Sequence, residues 1–203
     1  MALYALLLAA GEGRRFGGGK LTALHRGMPL VQHALSAAVR APVKEIIVVL
    51  GADAEGVGRA VAQSAVSVPV RMIIASDWAA GMSASLRAGV LALPEDAEGA
   101  LVFLGDMPDV PGELASRLAA VVRSGAPAAV PAYLGQRGNP VLLGRTLLAK
   151  VGSLTGDRGA RMLLADAKVV HTDDPGILRD VDVPADLESH GDHRLPRGAV
   201  PSR

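Results

Sequence analysis

The chain has 203 residues, room for one or two domains at roughly 100–200 residues each and for a sizeable buried core, and a single domain is the expectation. Its 21 Lys and Arg balance 20 Asp and Glu, a net charge of +1, so it carries neither a uniform basic face for nucleic acid nor an acidic, solvating composition. Only 2% of residues are aromatic and none is cysteine, which excludes stacking platforms for single strands, disulfide frameworks, thiolate metal sites and cysteine nucleophiles.

The apolar run at residues 2–10 has no basic leader and is far shorter than the ~20 residues of a membrane span. A cytoplasmic protein without membrane or nucleic-acid partners is expected. Residues 2–9 have no polar face and predict a strand buried on both sides, which favours a parallel sheet. From 29 to 40, Leu30, Val31, Ala34, Leu35, Ala38 and Val39 mark a helix with one core face, and Pro29 suits its first turn. Residues 45–50 predict a second buried strand, 53–63 a helix and 70–75 a third strand. A helix over 81–91 leads to a fourth strand over 99–104, which runs into Gly105-Asp106-Met107-Pro108. Leu114, Leu118, Val121 and Val122 mark another helix; weaker strand patterns follow at 128–132, 141–143 and 169–172. The alternation predicts a three-layer α/β/α fold with a mostly parallel, doubly wound sheet, Rossmann-like, whose ligand crevice lies beyond the carboxyl ends of the strands. One domain is expected over 1–189, with a disordered tail over 190–203 that is rich in Gly, Pro and charge.

The loop after the first strand, Ala9-Ala10-Gly11-Glu12-Gly13-Arg14-Arg15-Phe16-Gly17-Gly18-Gly19-Lys20, is the most informative stretch. Its glycines let backbone N–H groups approach an anion, and Arg14, Arg15 and Lys20 can neutralise a triphosphate. Spacing excludes two familiar motifs. Arg14 and Leu21 stand where a P-loop needs Gly and Ser or Thr, and Phe16 replaces the third glycine of a dinucleotide fingerprint. The bland alternative is a solvated Gly-rich turn. Asp106, at the end of a strand, suits Mg²⁺ bound with phosphate oxygens, or alternatively a turn cap. Ser83 and Ser85, near a helix start, suit either capping or contact with a base edge or phosphate. Trp78 fits packing better than stacking on a ligand, and the five histidines show no metal-ligand spacing.

The pattern Leu-Ala-Ala-Gly-x-Gly-x-Arg-Phe-Gly-Gly-x-Lys resembles the loop of the MobA-like nucleotidyltransferases. The likeness continues in Gly81-Met82-Ser83-Ala84-Ser85-Leu86, Gly105-Asp106-Met107-Pro108, Gly138-Asn139-Pro140-Val141, Gly156-Asp157-Arg158-Gly159-Ala160-Arg161 and Asp180-Val181-Asp182-Val183-Pro184-Ala185-Asp186-Leu187. Ala9-Ala10-Gly11 and Met82-Ser83 depart from the guanylyltransferase branch, and together the elements look most like the molybdenum cofactor cytidylyltransferases. The resemblance implies transfer of CMP from CTP to the terminal phosphate of molybdopterin, with Mg²⁺ as cofactor and a molybdoenzyme as a candidate recipient of the product. It implies catalytic roles for Arg15, Lys20 and Asp106. Nucleotide binding falls to Ala9, Ala10, Gly11, Gly13, Arg14, Lys20, Ser83 and Ser85. Arg137, Gly138, Asn139, Asp157 and Arg161 would receive the pterin; Asp106 and Asp182 would hold the metal, with Asp180 the runner-up to Asp182. Other readings are a related cytidylyl- or guanylyltransferase for another phosphorylated small molecule, or a non-catalytic chaperone that delivers the cofactor.

Overall fold

A computed structural model describes residues 1–153 and 163–189. In chain order its main elements are β1 (Leu3–Ala9), β2 (Leu24–His25), β3 (Met28–Pro29), α1 (Leu30–Val39), β4 (Ile46–Leu50), α2 (Ala54–Ala62), β5 (Val70–Ile74) and α3 (Met82–Leu91). Then follow β6 (Gly99–Leu104), α4 (Leu114–Arg123), β7 (Ala128–Tyr133), β8 (Gln136–Arg137), β9 (Val141–Gly144), α5 (Arg145–Leu148), β10 (Lys168–His171) and α6 (Asp186–Ser189).

The main sheet runs β10-β7-β9-β6-β1-β4-β5, with β8 paired to β7. β1 pairs parallel to β4 and β6, and β4 to β5, so the core of the sheet is parallel as the unbroken apolar runs predict. β9 is the exception: it runs antiparallel to both β6 and β7, and the sheet is therefore mixed. Alternate side chains of each strand feed two different cores. Leu3, Ala5 and Leu7 of β1, Ile46 and Val48 of β4, and Leu101 and Phe103 of β6 pack with α1, α2 and α4. Leu6 and Leu8, Ile47 and Val49, and Ala100 and Val102 pack on the other face with Leu86 of α3 and Leu147 and Leu148 of α5. Helices thus cover both faces, the three-layer α/β/α arrangement.

Pro29 closes β3 and serves as the N-cap of α1 rather than sitting inside its first turn. The described residues include no helix long and apolar enough to cross a membrane. The expected tail over 190–203 lies outside the described residues, as do Asp157 and Arg161.

Candidate active site

β1 and β6 are neighbours and run the same way, so the loops that leave them open at one edge of the sheet. The two strand ends touch: the Gly105 N–H donates to the Leu8 carbonyl oxygen at 2.9 Å. A Cβ at Gly105 would lie 3.2 Å from that oxygen, so a larger residue would push Asp106 away from the first loop. α3 reaches the same edge from the opposite core, beginning at Gly81, whose φ of 106° is a backbone conformation that favours glycine. Between these three segments lies a cavity of about 400 Å³ lined by Leu8, Ala10, Gly11, Glu12, Gly13, Arg14, Lys20, Leu21, Trp78, Ala79, Gly81, Met82, Ser85, Leu104 and Asp106.

The glycine loop is folded back on itself. Phe16 and Gly18 both donate their N–H groups to the Gly13 carbonyl oxygen, at 2.9 and 3.3 Å. Gly13 has φ +65°, and a Cβ there would come within 2.8 Å of Lys20 Cβ, so the loop closes tightly enough to carry Lys20 into the cavity. Phe16, the residue that breaks the dinucleotide pattern, packs against the α1/α2/α4 core and anchors the loop.

Lys20 is 12% exposed, and its Nζ donates to Asp106 Oδ2 at 2.7 Å and lies 3.5 Å from Asp182 Oδ1. The other Asp182 oxygen accepts from Arg15 Nη1 at 2.8 Å. Asp182 is delivered from the far end of the chain by one backbone tie, the Val181 N–H donating to the Asp106 carbonyl oxygen at 3.0 Å, and its own turn is closed by the Asp182 and Val183 N–H groups, which donate to Asp186 Oδ2 at 2.7 and 2.8 Å. Partial burial, and next the Asp106 carboxylate, hold the Asp180 carboxyl above its ordinary range, with Asp182 adding to the rise and Lys20 opposing it. Two acidic groups thus flank one partly buried ammonium, and a third lies close by.

These hard oxygen donors suit Mg²⁺, which takes one or two carboxylates and fills its remaining positions with water and substrate phosphate.

Among the residues singled out from sequence, Ala10, Gly11, Gly13, Arg14, Lys20, Ser85 and Asp106 line the cavity together. Ala9 is buried at the end of β1, outside the lining; Ser83 is 1% exposed and also outside it. Neither serine is the N-cap of α3, a place that Gly81 takes. Arg15 is 79% exposed and meets the site through Asp182. Arg137, Gly138 and Asn139 stand outside the cavity lining but at the same edge of the sheet, because they lie between the end of β7 and the start of β9. Gly138 must be small, as a Cβ would lie 2.2 Å from the Ile177 carbonyl oxygen, and that oxygen accepts from the Asn139 N–H at 2.9 Å. Trp78 packs against the α3 core, the role its sequence context favours, and also lines the cavity, so the less favoured alternative of contact with a ligand stays open to it.

Residues 5–172 match the MobA-like NTP transferase domain family. Nicotine blue oxidoreductase of Paenarthrobacter nicotinovorans is 34% identical over 168 residues, covering 78% of this chain and 79% of that protein. Purine catabolism protein PucB of Bacillus subtilis is 27% identical over 195 residues, covering 92% and 94%. Rv0371c of Mycobacterium tuberculosis superimposes with a TM-score of 0.79 at 25% identity over 94% of this chain and 98% of that one. A second structure of Rv0371c, titled a complex with manganese, has a TM-score of 0.72 at 23% identity and covers 93% and 97%. With the matched region spanning most of the sequence and both strand-end loops falling within it, the chain belongs to the MobA-like NTP transferase family.

Proposed function

We propose that the protein transfers CMP from CTP to the terminal phosphate of molybdopterin and releases pyrophosphate. The observation that carries this reading is the pairing of Lys20 with Asp106 across a cavity walled by the glycine loop: a cation for the triphosphate and a carboxylate for a divalent metal meet at one point. In the reaction an oxygen of the acceptor phosphate forms a bond to the α-phosphorus of CTP. The bond from that phosphorus to the bridging oxygen of the β-phosphate breaks, and its electron pair leaves with pyrophosphate. The acceptor phosphate is already largely ionised near neutral pH, so no general base is needed. Lys20 and Arg14 neutralise the triphosphate, the glycine loop orients it, and Asp106 and Asp182 would hold Mg²⁺, which supplies charge neutralisation at the phosphate oxygens. These are positioning and electrostatic contributions, the ones that dominate phosphoryl chemistry. Ser85 faces the cavity where a base edge or phosphate could meet it, and Arg137, Gly138 and Asn139, on the same sheet edge but outside the cavity lining, are the residues proposed to receive the pterin.

A second reading is suggested by the 34% identical relative named as an oxidoreductase: the loop would then hold a nucleotide redox cofactor without transferring it. Phe16 in place of the third fingerprint glycine weighs against a dinucleotide. The discriminating experiment measures pyrophosphate release with Mg²⁺, molybdopterin and each of the four NTPs, beside oxidation of NADH and NADPH with a two-electron dye as oxidant. CTP is expected to give the fastest release. A faster rate with GTP would overturn the choice of base, and no release with any NTP would overturn transfer.

A further inference from the structure

Asp109 lies three residues beyond Asp106, and its side chain is 13% exposed. One carboxylate oxygen accepts from Arg26 Nη1 at 2.9 Å; the other is buried, accepts no hydrogen bond among the described residues, and faces Arg179 Nη1 at 4.0 Å. A half-satisfied buried carboxylate is costly unless it specifies a position. Its two arginines stand on the two segments that must converge at the site. Arg26 is in the tight turn between β2 and β3, a few residues after Lys20, and this hairpin is tied to α6 where His25 Nδ1 lies 3.2 Å from the Leu187 carbonyl oxygen. Arg179 directly precedes Asp180, Val181 and Asp182. The backbone agrees: a Cβ at Gly176 would lie 2.1 Å from the Asp109 carbonyl oxygen, so the turn over Pro175–Leu178 lies flush against Asp109.

We propose that Asp109 is a positioning residue: through Arg179 and Arg26 it fixes the segment carrying Asp180 and Asp182 against Asp106 and Lys20, and so sets the spacing of the two metal-holding carboxylates. This rests on the transferase reading above. Asp109 itself touches neither the cavity nor any reacting atom.

Asp109→Asn keeps the size of the side chain and an oxygen for Arg26 but removes the charge opposite Arg179. With CTP, Mg²⁺ and molybdopterin, kcat is expected to fall ~10-fold or more while the KM for CTP stays within about threefold, because misplacement of order 1 Å can cost ~100-fold in rate. The EPR spectrum of Mn²⁺ bound with CTP should change in parallel, and Asp109→Glu should recover part of kcat. A folded Asp109→Asn protein with kcat within about twofold of wild type and an unchanged Mn²⁺ spectrum would overturn the proposal. Should Asp109→Asn not fold, Arg179→Gln, which cuts the same tie and leaves Asp109 paired with Arg26, decides by the same readouts. If wild-type protein neither binds CTP nor releases pyrophosphate, the transferase reading fails. Crystal structures of wild type and Arg179→Gln then test the tie directly, an unmoved Asp180 to Asp182 segment overturning it.

Discussion

Lys20 is the residue on which the site turns, since its ammonium neutralises Asp106 and Asp182 and also faces the cavity. A triphosphate must draw that ammonium away from carboxylates that a divalent cation would then need to neutralise, so nucleotide and metal should bind in support of one another. Lys20→Ala removes the charge both from the triphosphate and from between the acidic groups. CTP affinity and transfer rate should both fall, the rate by ~10²–10³, as for loss of one preorganised electrostatic element. Titrating Mg²⁺ should not restore both; full recovery at high Mg²⁺ would assign Lys20 a merely charge-balancing role. Lys20 and Asp106 were legible in sequence because Lys20 closes the glycine-rich loop that leaves one buried strand and Asp106 lies two residues beyond the end of another. Arg15 was read as facing the triphosphate, yet it reaches the site by way of Asp182, 167 positions away. No local pattern reveals a contact at that separation.

At the scale of elements, β1, β4 and β6 were read to within a residue because strands buried on both faces leave unbroken apolar runs. The two hairpins were not. β2 and β3 are joined by Arg26-Gly27, and β7 and β8 by Leu134-Gly135; in both turns the two central residues have positive φ, 48° and 79° in one and 47° and 83° in the other. Turns of this kind favour Asn or Asp before Gly, so Arg and Leu conceal them. The reversed direction of β9 was equally hidden, since three apolar residues carry no sign of orientation. The first hairpin also sets a pH dependence. His25 is 1% exposed; burial, then the positive charge of Arg26 and the neighbouring His33, push its pKa below the ordinary 6.5, with the Leu187 carbonyl and Asp109 opposing. The unfolded chain therefore takes up this proton more readily than the folded one, and the stability that neutral His25 secures is full above 6.5 and lost as pH falls through that value toward the lowered folded pKa. Urea unfolding of wild type and His25→Gln at pH 7.5 and 5.5 should show the larger loss on acidification in wild type. Equal losses would place the titration elsewhere.

Across the whole molecule, the sheet brings together residues from four separate stretches: the loop after β1, the start of α3, the end of β6 and the segment that ends at α6. Such convergence beyond the carboxyl ends of parallel strands follows from the strand order, with β1 and β6 adjacent although four other strands and three helices intervene in the chain. The role proposed for Asp106 is to hold the metal for transfer, and Asp106→Asn isolates that role. The substitution preserves size and releases Lys20 from its carboxylate partner, so CTP affinity without Mg²⁺ should hold or rise. The chemical step loses the charge that holds the cation, and kcat should fall by ~10²–10³ or more across a Mg²⁺ titration. The measurement is kcat for pyrophosphate release with CTP and molybdopterin, alongside CTP affinity and circular dichroism to show that the variant is folded. Retained binding with collapsed turnover is the expected result; a folded Asp106→Asn protein with near-normal turnover would remove Asp106 from the metal site.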